Sequence, residues 1–107
     1  MSLDIDLTDV DGNVVFSYNI THNLGRMARE AGIYEQLWRP DEYGLHKAKQ
    51  ISASLTAGLM WLVSRPQHYK TFNPESGWGS YEGFVKFVVE YLIACREHPE
   101  ATIQVSR

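Results

Sequence analysis

Tyr18, His22, Asn23, Trp38, Asn73, Trp78 and Tyr81 combine flat aromatic faces with an imidazole and two amides. Rings of that kind stack on a planar partner and the polar groups read its edge, so the set suits a shallow pocket for a small planar ligand. Spacing places these residues near the ends of predicted elements. Tyr18, His22 and Asn23 follow a strand pattern, Trp38 closes the run GIYEQLW, and Asn73, Trp78 and Tyr81 lie in NPESGWGSYEGF ahead of the last helical segment. A plainer reading exists for the same residues: Trp38 and Trp78 seal loops onto the core, while His22 and Asn23 cap a helix start. In a third reading His22 is the general base of a small enzyme, but the sequence offers it no identifiable partner and no nucleophile–base pair.

Trp78 stands between Gly77 and Gly79, residues that let a backbone turn sharply at an entropic cost. The turn presents the indole in a fixed direction just before the last helix. The expectation is that it folds inward beside Trp38 as a lid on the core, since large aromatics serve cores more often than sites.

Motifs for metals and phosphates fail on inspection. Asp9, Asp11, Gly12 and Asn13 resemble the middle of a calcium loop, but Leu7 stands where its first Asp belongs and Tyr18 where its bidentate Glu belongs. His22, His46, His68 and His98 lack HExxH spacing, and a single cysteine, Cys95, excludes thiolate zinc patterns. Gly77, Gly79 and Gly83 match neither GxxxxGK[ST] nor GxGxxG, and Trp78 breaks a GxSxG elbow at Ser80. No metal and no cofactor is predicted.

The elements that must position the candidate residues are legible from periodicity. Leu3, Ile5 and Leu7 alternate with polar residues, Val14, Phe16, Tyr18 and Ile20 fall on one face at the same period, and the Asp11-Gly12 pair between them signals a hairpin over the first 21 residues. Ala101, Ile103 and Val105 predict a third strand after Pro99. Between the strands, Leu24, Met27, Ala28 and Ala31 mark a short helix capped by Thr21 or Asn23 and stopped at Gly32, and another turn or two follows through Trp38. A long helix is predicted from Tyr43 to Ser64 on the stripe Ala48, Ile51, Leu55, Leu59, Leu62. The last helix runs from Tyr81 to Glu97 with Ser80 as N-cap and is apolar nearly all round, which places it centrally.

The order β-β-α-α-α-β predicts an α+β fold: a small antiparallel sheet, made of the N-terminal hairpin and the C-terminal strand, packed on one face by three to four helices. At 107 residues, with 44% hydrophobic and 21% charged residues, the chain is read as one domain, 1–107. The opening MSLDIDLTDVDG carries acids where a signal peptide carries bases, and no apolar run approaches a membrane span, so a cytoplasmic protein without membrane contact is expected. A net charge of −3 predicts no nucleic-acid binding.

The segments YNITHNL, GIYEQLW, NPESGWGSYEGF and IQVSR resemble those of small phage- and prophage-encoded proteins without an assigned activity. The resemblance spans nearly the whole chain; it implies a gene context and a host-cell cytoplasm, and it carries no catalytic residue across. It implies either a module that binds a host or phage protein or a protein that captures a small host metabolite or signalling nucleotide. The first reading, a non-enzymatic binding or interaction module, expects a homo-oligomer or a partner protein. The second expects a small ligand at Tyr18, His22, Trp38 and Trp78.

Overall fold

Strand β1 (Ser2–Thr8) alternates as its sequence requires, with Leu3, Ile5 and Leu7 fully buried. The structure, a computed structural model, describes residues 2–107. β2 (Val14–Thr21) pairs antiparallel with β1, which sets Ile20, Tyr18 and Phe16 opposite Leu3, Ile5 and Leu7 on the same face. β3 (Thr102–Ser106) pairs antiparallel with the other edge of β1, completing a sheet of order β2-β1-β3. A bulge where β1 passes from Leu7 to Thr8 shifts the register. Val15 therefore packs against the core while Val14, predicted to face inward, is exposed. The hairpin loop is closed by the Asp9 carboxylate, which accepts from the backbone N–H groups of Asp11 and Asn13. Its open face is polar, with Asn19 donating to Asp4 and Ser17 to Asp6 across the strands.

Five α-helices lie between β2 and β3: α1 (Gly25–Glu30), α2 (Tyr34–Trp38), α3 (Ser52–Ser64), α4 (Pro66–Lys70) and α5 (Tyr81–Glu97). The expected long helix is shorter than its stripe suggests. Gly44 adopts a left-handed φ of 69° and ends a 3-10 turn at Pro40–Tyr43. The chain is then drawn extended against the start of β3, where Ile103 N–H donates to the His46 carbonyl and Ala48 N–H to that of Ala101. Helix formation resumes only after that pairing is satisfied. α4 has no counterpart in the sequence reading, because Pro66 both stops α3 and opens α4 at its first turn.

α5 runs the predicted length, with Ser80 Oγ accepting from Gly83 N–H at its N-terminus. Phe84, Phe87, Val88, Tyr91 and Cys95 are fully buried, and Tyr91 stacks on Phe16 of the sheet with ring centroids 5.3 Å apart. α3 packs beside it and presses its Gly58 against the loop joining α1 and α2; a Cβ there would collide with Ile33 Cγ2. That close approach holds α1 and α2 in place, and they carry most of the candidate site. Among the described residues no helix is long and apolar enough to cross a membrane.

Candidate functional site

Thr21 at the end of β2 caps a 3-10 turn, His22–Leu24, by accepting from the Asn23 N–H. The turn sinks Leu24 into the core and leaves His22 half-buried beside α2. Trp38 Nε1 donates to His22 Nδ1 at 2.9 Å. An indole N–H can only donate, so Nδ1 is the acceptor and the neutral imidazole carries its hydrogen on Nε2. A general base works the other way round, with Nδ1–H held by an acceptor and a bare Nε2 facing the substrate. His22 is thus set to donate a hydrogen bond rather than to abstract a proton.

Around this pair lies an open basin of about 560 Å³. Arg26, Arg29, Arg39 and Arg107 line it together with Tyr34, so four of the chain's six arginines meet at one place on a chain of net charge −3. Two of them are neutralised locally. Arg39 Nη1 lies 2.6 Å from Glu42 Oε2, and Arg107 forms a two-pronged pair with Asp41 at 2.8 and 3.1 Å. Hydrogen bonding from Arg107 holds the Asp41 carboxyl below the usual carboxylate range, while Glu42 and then Tyr34 make Arg39 harder to deprotonate. Arg107 also donates to the Trp38 carbonyl and so ties β3 to α2. Arg26 and Arg29 have no carboxylate within ion-pair reach among the described residues. They rest on rings instead, Arg26 5.0 Å from the Phe72 centroid and Arg29 4.0 Å from that of Tyr34.

The aromatic platform differs from the expected one. Trp38 is 3% exposed and packs on Tyr34, whose ring is in turn covered by Arg29, so neither offers a free face in this basin. What the basin presents is positive charge from two guanidiniums and the Nε2–H side of a neutral imidazole. A cation would be repelled here; among the described residues no three His, Cys, Asp or Glu side chains converge on a metal-sized gap.

Trp78 corrects a second expectation: it is 74% exposed and does not fold beside Trp38. Its loop is shaped before it arrives. Asn73 Oδ1 accepts from Tyr81 N–H at 2.7 Å, Gly77 N–H donates to the Pro74 carbonyl, and Gly77 and Gly79 both take positive φ. Gly79 lies so close to the His22–Leu24 turn that a Cβ would meet Thr21 Cγ2 at 2.8 Å. Gly79 therefore lets the backbone pass where no side chain fits, Gly77 supplies a positive-φ turn in open space, and together they turn the indole outward. Gly79→Ala is expected to cost about 1–3 kcal/mol, because strain at a φ of 100° adds to the clash; urea denaturation measures it.

The outward indole borders a second concavity with Ser2, Asn19, Thr21 and Asn23. Asn23 belongs to both hollows, and its Nδ2 reaches the Trp78 carbonyl at 3.4 Å. Of the seven candidates, His22, Asn23 and Trp38 meet at the basin and Trp78 stands next to it. Tyr18, half-buried, lines a further hollow with Trp78, and all three remaining candidates also hold the fold. Tyr18 packs on Phe87, Asn73 staples the loop, and Tyr81 is buried with its hydroxyl donating to the Leu62 carbonyl at 2.7 Å. The arginines were absent from the candidate set. Arg26 and Arg29, at i and i+3 opposite the apolar stripe of α1, read as an ordinary solvated helix face, and Arg107 is distant in sequence. Comparison with known protein families, with curated proteins and with solved structures returns no match.

Proposed function

We propose that the protein is a non-enzymatic binding module that captures a small phosphorylated or similarly charged ligand in the arginine basin. The observation that carries the reading is the pair Arg26 and Arg29, two guanidiniums without carboxylate partners among the described residues, flanking a histidine set to donate. Arg26 and Arg29 are exposed, and positive charge gathered at one place on a net-acidic chain attracts an anion. Planar guanidiniums are suited to phosphate because each offers two parallel donors. The tautomer of His22 supports binding over catalysis, since it supplies a donor where a base would need an acceptor.

Calorimetric titration with inorganic pyrophosphate at low salt tests the reading. Saturable one-to-one binding that weakens steeply as salt rises is the expected result. A flat titration with folded protein would sink it.

A second reading, contact with another protein or a second copy, is favoured by α3. Its sequence from Ser52 to Ser64 contains no charged residue, and Met60, Trp61 and Val63 lie exposed on it. A strictly monomeric mass in light scattering at high concentration counts against self-association through this face.

A further inference from the structure

We infer that the concavity under Trp78 is the second half of the same site and receives the ring of the ligand, so that the ligand is of the nucleotide class. The inference rests on the anion-binding reading above and adds a separate observation. The two hollows differ in chemistry and share a wall. The basin side is cationic, with Arg26 and Arg29, whereas the Trp78 side holds neutral hydrogen-bonding groups, Ser2, Asn19, Thr21 and Asn23. Charge on one side and neutral amides beside an exposed aromatic on the other match a molecule with a phosphate at one end and a planar polar ring at the other.

The details of the neutral half favour a base. Trp78 is the large aromatic of this region whose faces are open, being 74% exposed, while Trp38 is buried and Tyr34 covered. Asn19 spends its Nδ2 on Ser2 and Asp4, and Asn23 spends its Nδ2 on Ser76 and the Trp78 carbonyl. Neither Oδ1 has a hydrogen-bond partner among the described residues, so each remains an acceptor for the N–H edge of a base. The two halves are also joined mechanically. Gly79 packs on Thr21 and Leu24, so the Trp78 loop sits directly on the turn that carries His22 and Asn23. Asn23, which lines both hollows, is thus held between the arginines and Trp78.

The test compares nucleoside 5′-monophosphates, purine and pyrimidine, with ribose 5-phosphate, which lacks the base, and with inorganic pyrophosphate. In the intact protein a nucleotide is expected to bind about 5- to 100-fold more tightly than ribose 5-phosphate, the range that stacking one base on an aromatic supplies. Trp78→Ala should erase that difference and leave ribose 5-phosphate and pyrophosphate binding unchanged, and Trp78→Phe should restore part of it. Since Trp78 is exposed, the variant folds and its circular dichroism should match that of the parent. Ribose 5-phosphate binding as tightly as every nucleotide overturns this inference and leaves the anion reading standing, as does a nucleotide preference that survives Trp78→Ala. Failure of pyrophosphate, ribose 5-phosphate and nucleotides alike overturns both.

Discussion

Trp38→Ala is expected to destabilise the protein by about 3–5 kcal/mol, the cost of emptying a large buried aromatic site. The same change at Trp78 should stay within about 0.5 kcal/mol, as exposed positions do. The contrast follows from burial, 3% exposed against 74%. Trp38 has further roles that Trp78 lacks: it packs on Tyr34, donates to His22 Nδ1, and through its carbonyl accepts from Arg107. Urea denaturation of both variants reads the difference directly. Equal losses at the two positions would contradict the outward placement of Trp78. Trp38→Phe separates packing from orientation, because it keeps most of the volume while leaving Nδ1 without its donor.

Arg29→Ala is expected to weaken anion binding by about 10- to 100-fold, the worth of charge-assisted hydrogen bonds to a phosphate. Arg29→Lys should recover only part of this, since lysine keeps the charge but loses both the planar fork and the stacking on Tyr34. Stability should change little in either case, because Arg29 is exposed and has no ion-pair partner among the described residues. Glu42→Gln acts in the opposite direction. It removes the carboxylate that sits 2.6 Å from Arg39 and so frees a third positive charge for the basin. Pyrophosphate titrations of the variants give the ordering, and an anion affinity that ignores both Arg29 and Glu42 contradicts the assignment.

The parts of the fold that local pattern controls were legible in the sequence. Alternation at Leu3, Ile5 and Leu7, the Asp-Gly of the hairpin, and the Ser80 cap each describe a structure formed within a few residues of themselves. Where a distant strand competes, the pattern misleads. Residues 43–50 carry part of a helical stripe, yet the pairing of His46 and Ala48 with the β3 region keeps 45–47 out of any helix and leaves only a 3-10 turn at Ala48–Gln50, and only the folded chain contains that partner. Val14 was misplaced for a related reason, because a bulge in the hairpin cannot be read from alternation alone.

The site divides in the same way. His22, Asn23 and Trp38 carry chemistry that their residue types announce, and the fold brings them together. The arginines do not announce themselves. Arg39 joins the basin as the residue that closes α2, whereas Arg107 joins it only because β3 ends beside α2, 69 positions from the carbonyl it meets. Trp78 was legible as unusual but not in its direction, which depends on Gly79 lying against Thr21 and Leu24.

In the proposed function an anion sits in the basin beside His22, held by Arg26 and Arg29. Mapping amide and arginine side-chain resonances of the labelled protein during a pyrophosphate titration tests it most directly. Saturating shifts are expected at His22 and Asn23 and at the Nε–H groups of Arg26 and Arg29, with Arg65 and Arg96 unmoved. Shifts centred on α3, or spread evenly over the surface lysines and arginines, would contradict it.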